Sequence, residues 1–302
     1  MKILILGGSG FVSSWLAKKA MAAGHEVWTL TRGSRPTVPG VHVLTADRAD
    51  GDALRTVLES TATTWDAVMD CICFSPDHAA VDLSVLPAFT SRLVVISTDS
   101  VYDPYHKTVP QTEESEWYMQ DGGYGCMKRK MEEAFLAAET SLRWTILRPG
   151  HIFGAGSEIG CFPEHSRQKD LIPHMLADKP VRLIDGGQLL IHPIYVEDLV
   201  ETMLSCVDKP GCENEIFCIG GPDIIPNAKY YEVIGEIIGH PAKIESVELE
   251  GGLAAHPEFS GHLCQRAYDL TKLRSTGVKM PDTPLAVGLR KHIEWIMQRD
   301  NL

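Results

Sequence analysis

No apolar run in these 302 residues approaches the ~20 needed to cross a bilayer, so a membrane-spanning helix is not expected. Positive charge is also scarce. Lys and Arg number 28 against 40 Asp and Glu, giving a net charge of −12 and an isoelectric point near 5.4. A nucleic-acid partner needs a basic face, and none is expected here. Eight cysteines in a chain of this length do not make a disulfide framework. Cys71 and Cys73 fall in an apolar run that would place them on one face of a strand. Cys212 and Cys218 have no His or Cys neighbour at metal-ligand spacing, and no metal is expected. Buried, reduced thiols in a cytoplasmic protein fit this usage. There is no internal repeat, linker or low-complexity tract, and the first residues read as a strand rather than a secretory leader.

What the chain does have begins at once. Lys2 to Leu6 carries Ile, Leu, Ile and Leu, the pattern of a short strand buried on both faces. Gly7, Gly8 and Gly10 follow, and Phe11 to Ala20 has helical composition. Strand, glycine turn and helix in that order make a phosphate cradle. Gly7 permits the tight turn, Gly10 lets backbone approach a pyrophosphate, and the amides opening the helix face the anion with the helix dipole behind them. Gly7, Ser9, Gly10, Phe11 and Val12 are therefore candidate contacts to a dinucleotide. Ser13 stands where the fingerprint usually ends in a third glycine, and it is still small enough for close helix packing.

His25 to Thr31, Val41 to Thr45, Asp66 to Phe74 and Arg92 to Asp99 read as further strands, with helical stretches between them at 52–59 and 76–89. The alternation predicts an α/β fold with a doubly wound, Rossmann-type parallel sheet. Ligands of such sheets collect at the carboxyl ends of strands, where Gly7, Arg32, Asp47, Cys71, Ile72, Cys73 and Thr98 fall. At the end of the second strand, Thr31 holds the place where a carboxylate commonly accepts from the ribose 2′-hydroxyl, and Arg32 and Arg35 follow. Guanidinium groups suit a 2′-phosphate, so NADP is expected ahead of NAD. The bland alternative is that both arginines belong to a solvated turn.

Tyr124 and Lys128 lie at i and i+4, on one face of a helix that runs to about Thr140. A tyrosine with an ordinary pKa of about 10 needs help to act as a base near neutrality. A nearby ammonium and the positive ring of an oxidised nicotinamide favour its phenolate. Thr98, on the adjacent strand end, offers a hydroxyl to hold a substrate oxygen in line for hydride transfer. Alone, this spacing is usually a surface helix pair. Its place after the fifth strand of a dinucleotide fold makes chance a poor explanation.

Taken together, the motifs resemble those of the extended short-chain dehydrogenase/reductase family, which contains sugar-nucleotide epimerases and dehydratases. They are Gly7-Gly-Ser-Gly-Phe-Val, Asp47-Arg48, Ser97-Thr-Asp-Ser-Val-Tyr102, Tyr124-x-x-x-Lys128, Leu147-Arg-Pro-Gly-His-Ile-Phe-Gly154 and Tyr195-Val-Glu-Asp-Leu199. The resemblance implies Tyr124 as catalytic acid/base, Lys128 as its ribose-binding partner, and Thr98 as the group orienting the reacting oxygen. It implies Asp99 as a second acid in the manner of the 4,6-dehydratases. Ser100 stands where those enzymes have Glu, which puts dehydration in doubt. Asp47, Arg48 and Pro149 join the cofactor contacts by the same resemblance, and His151 takes the place of a substrate-facing Asn.

The resemblance also implies a smaller, interleaved C-terminal substrate domain. Residues 1–153 would form the dinucleotide-binding domain with a segment returning near 181–221, and 154–302 would be mostly substrate-binding. Family members that take nucleotide sugars hold the diphosphate with two arginines, and this chain has Ile191-His192-Pro193 at the first place. At the second it has Pro257 to His262, with Arg266 close enough to substitute. His192 and Arg266 are thus the remaining substrate candidates, and His262 is a further odd feature. The expected function is NAD(P)-dependent oxidoreduction or epimerisation of a hydroxylated, sugar-like small molecule by a homodimer. The alternative is a catalytically silent dinucleotide sensor or RNA-binding protein, since the chain also resembles the chloroplast stem-loop RNA-binding group. The intact Thr98, Tyr124 and Lys128 favour the enzyme.

Overall fold

Ile3, Leu4, Ile5 and Leu6 are completely buried, and they alternate between two cores. Ile3 and Ile5 pack with Leu16, Ala17 and Ala20 on one side, while Leu4 and Leu6 pack with Leu54, Leu58, Met131 and Phe135 on the other. A strand with period-two side chains and apolar residues at every position must be covered on both faces. The computed structural model, which describes residues 1–161, 167–255 and 263–302, shows that cover.

The strands β1 (Lys2–Leu6), β2 (Glu26–Thr31), β3 (His42–Thr45), β4 (Ala67–Asp70), β5 (Arg92–Ile96) and β6 (Arg143–Pro149) join Glu215–Ile219 in one seven-stranded sheet. Its order is Glu215–Ile219, β6, β5, β4, β1, β2, β3, and every pairing is parallel. Crossing over at β1 and β4 leaves a crevice above the carboxyl ends of the strands, where doubly wound sheets bind ligands. The helix α1 (Phe11–Ala22) packs on one face with Val196–Ser205. On the other lie α2 (Gly51–Glu59), α3 (Pro76–Val85) and α4 (Tyr124–Ala137). Side chains set the helix starts: Asp50 accepts from the Asp52 and Ala53 amides, and Ser75 accepts from His78 ahead of Pro76.

The strands are shorter than the apolar runs suggest. β4 ends at Asp70 and β5 at Ile96, so Cys71 to Cys73 and Ser97 to Asp99 are crevice loops rather than strand. Of the segment expected to return near 181–221, Glu215–Ile219 pairs with β6 in the main sheet. Val181–Ile184 instead pairs with Ile244–Val247, outside that sheet. A separate core of Phe153, Leu171, Ile172, Tyr230, Leu289 and Ile293 holds the second region together. Pro257 to His262 lie outside the described residues.

A buried triad ties the crevice floor to α3. One Arg48 nitrogen, Nη2, donates to Asp70 at 2.7 Å and to Asp82 at 2.5 Å. Burial and the neighbouring Asp70 hold the Asp82 carboxyl well above the usual carboxylate range.

Candidate active site

The crevice is a cleft of about 950 Å³ at the carboxyl ends of β1 to β6. Gly7, Ser9, Gly10, Phe11 and Val12 form one wall, where β1 gives way to α1. The backbone there admits only glycine at one position. Gly8 has φ +121°, and a Cβ on it would lie 2.6 Å from the Thr29 side chain. Ser13 closes the turn by accepting from the Gly10 amide at 3.1 Å. A turn this bare, opening on the first amides of a twelve-residue helix, fits the pyrophosphate of a dinucleotide. Arg32 and Arg35 lie on the cleft beyond β2, with Asp47 nearby, and the Thr31 hydroxyl accepts from the Gly33 amide at 3.1 Å.

Opposite the glycine turn, α4 opens on Tyr124. Its side chain is 54% exposed and faces the cleft. Gly125 brings it there: a Cβ at that position would sit 1.9 Å from the Ser100 carbonyl oxygen. The helix start therefore lies directly on the loop after β5, and Thr98 and Tyr124 line the cleft together. Desolvation within the cleft raises the phenol above its ordinary pKa, the Asp99 carboxylate adds to the rise, and the Thr98 hydroxyl opposes it. One turn on, Lys128 is buried, and its ammonium donates to the Cys73 and Ile96 carbonyls at 2.7 Å each. Burial lowers its pKa, against the pull of nearby acidic groups. A further turn on, Glu132 accepts from Ser97 at 2.6 Å and from Arg148 at 2.9 and 2.6 Å, fixing α4 to the ends of β5 and β6.

Asp99 lines the cleft as well. Its carboxylate accepts from Arg266 Nε and Nη2 at 2.7 and 2.8 Å and from the Tyr268 hydroxyl at 2.5 Å. Tyr268 in turn stacks on His192, with ring centroids 6.1 Å apart.

The family described as NAD dependent epimerase/dehydratase matches residues 3–220. The chain belongs to that family. The 2′-dehydrokanamycin reductase of Streptomyces kanamyceticus is 25% identical over 83% of this chain and 70% of its own length. The chloroplast stem-loop binding protein of 41 kDa b from Arabidopsis thaliana is also 25% identical, over 73% of this chain and 58% of that protein. The structure of UDP-glucose 4-epimerase from Thermotoga maritima with UDP-glucose superposes with a TM-score of 0.78 at 20% identity, covering 99% of both chains, and shares the fold.

Within this family member the candidate residues separate by position. Gly7, Ser9, Gly10, Phe11, Val12, Arg32, Arg35, Asp47, Cys71, Ile72, Thr98, Tyr124, Lys128, Pro149 and His151 all line one cleft. Cys73 does not. It is fully buried beyond the end of β4, because the loop there no longer alternates as a strand does. His192 is also off the cleft, buried, with Nε2 2.7 Å from the Gly221 carbonyl oxygen. Arg48 reaches the lining, but Asp70 and Asp82 engage its guanidinium. Arg266 reaches it too, paired with the Asp99 carboxylate. His151 is neutral: burial, then Arg167 and Arg266, hold its pKa well below the ordinary value. Sequence reasoning gave Gly8 no role of its own and overlooked Gly125, Glu132, Arg167 and Tyr268. The doubled glycine and the glycine directly after Tyr124 were readable signals, whereas the other three are brought in by tertiary packing.

Proposed function

We propose that this protein catalyses NAD(P)-dependent oxidoreduction or epimerisation at a carbinol carbon of a carbohydrate-like substrate. The observation that carries this reading is that Tyr124 and Thr98 line the same cleft, with the Lys128 ammonium one helical turn away. A bound nicotinamide cofactor supplies the hydride donor or acceptor. Tyr124 gives or takes the proton of the reacting oxygen, and Thr98 holds that oxygen beside the phenol. Lys128 anchors the nicotinamide ribose and stabilises the phenolate. The names of the relatives, a 2′-dehydrokanamycin reductase and a UDP-glucose 4-epimerase, support a sugar-like substrate. Arg32 and Arg35 support NADP over NAD, and a homodimer through α3 and α4 completes the reading.

Tyr124→Phe is the test. It removes a proton donor and little binding surface, so turnover falls by about 10²–10⁴-fold while cofactor affinity stays within a factor of about two. Activity surviving within a few-fold overturns the assignment.

A further inference from the structure

Three cationic side chains reach the end of the cleft where Tyr124 opens: Lys128, Arg266 and Arg167. Two are already committed. Lys128 donates to a pair of backbone carbonyls, and Arg266 is matched by the Asp99 carboxylate. Arg167 is different. Among the described residues its hydrogen bond is a long one, Nη2 to the Ile152 carbonyl at 3.4 Å, and no carboxylate pairs with it. His151 lines the same cleft, and burial holds its pKa well below the ordinary value. Among the described residues, this protein of net charge −12 thus presents one guanidinium with no carboxylate partner to the cleft.

Arg167 is exposed on the cleft lining, so an anion entering the cleft can reach its guanidinium. Its planar fork matches a carboxylate or phosphate with two parallel hydrogen bonds. The cofactor's phosphates are served elsewhere, at the glycine turn and by Arg32 and Arg35 on the far side of the cleft. We propose that Arg167 seats an anionic substituent of the substrate, a carboxylate or a phosphate, close to the oxygen that Tyr124 handles. Arg167 and Tyr124 line the same cleft, which places the anion on the part of the substrate that enters it. The location of that oxygen rests on the reading of Tyr124 above; the anion site itself rests on Arg167.

The test titrates D-glucuronate, D-glucose 6-phosphate and D-glucose into the cofactor-loaded protein by calorimetry, using the unmodified chain, Arg167→Ala and Arg167→Lys. At least one anion is expected to bind on the order of tenfold tighter than glucose, with Arg167→Ala erasing the margin and Arg167→Lys keeping part of it. Preference for glucuronate identifies a carboxylate, and preference for glucose 6-phosphate identifies a phosphate. Equal binding of all three, no binding of any, or a margin that survives Arg167→Ala overturns the proposal. Tyr124→Phe separates the two readings. If that variant still turns over while the anion margin still depends on Arg167, the tyrosine assignment fails and the anion site stands.

Discussion

Asp99 and Arg266, separated by 167 positions in the chain, form a two-point ion pair at the floor of the cleft. The pair sets the charge felt by Tyr124, because Asp99 is the carboxylate that helps hold the phenol above its ordinary pKa. The unmodified phenol thus stays protonated through the neutral range. On the proposed mechanism oxidation needs the phenolate and is expected to rise with pH, whereas reduction needs the phenol and is expected to fall only on the alkaline side. Asp99→Asn removes the negative charge, lowers the phenol pKa and moves both limbs to lower pH. Profiles of kcat/KM against pH in the two directions check this, and a shift to higher pH would contradict it.

Cofactor choice is expected to follow Arg32. A 2′-phosphate beside β2 gains charge-assisted hydrogen bonds of about 1.5–3 kcal/mol each, so NADPH binds roughly tenfold or more tightly than NADH. Arg32→Ala removes most of the difference. Fluorescence titration of both cofactors reads this directly, and equal affinities in the unmodified protein sink the preference.

Gly125→Ala places a methyl group where the Ser100 carbonyl already stands. The first turn of α4 must move, and Tyr124 leaves Thr98. A displacement near 1 Å costs about 10²-fold in turnover. Cofactor affinity changes less, since Lys128 lies a turn further along. Steady-state kinetics paired with cofactor titration separates the two effects, and a variant within a few-fold of the unmodified enzyme refutes the geometry.

The Arg48 triad governs stability. Arg48→Met leaves two carboxyl groups buried together and is expected to cost about 3–5 kcal/mol. Asp82 behaves otherwise. Its folded pKa lies above its unfolded one, so its contribution is complete below the unfolded pKa and is lost as pH rises through the folded pKa. Asp82→Asn mimics the protonated form and flattens that decline. Urea unfolding across neutral and mildly alkaline pH tests both variants. An Asp82→Asn protein that loses more stability than the unmodified one as pH rises would reverse the sign.

Most of the sheet was legible because its strands are apolar at every position, and a run such as Ile3 to Leu6 has few other uses. The glycine turn and the Tyr124–Lys128 spacing were legible for a related reason, since local geometry dictates both. Strand ends were not: Cys71 to Cys73 continues the apolar composition of β4 while the backbone has left the sheet. Composition was silent too on which polar groups pair. Nothing near Asp99 in sequence points to Arg266 or Tyr268, and Arg48 reads as a ligand contact until Asp70 and Asp82 are seen to engage it. His192 stood out as a departure from a family pattern, and the fold uses it as a buried bond to Gly221.

The bonds from Lys128 to Cys73 and Ile96 reach beyond chemistry. One ammonium staples the loop after β4 to the end of β5, so removing it loosens that edge of the sheet independently of any chemistry. Tyr124 has no such second employment; it is exposed at the mouth of the cleft and anchors no strand. The lysine is therefore part of the scaffold as well as of the cleft, and its loss would be felt in stability whatever happened to turnover.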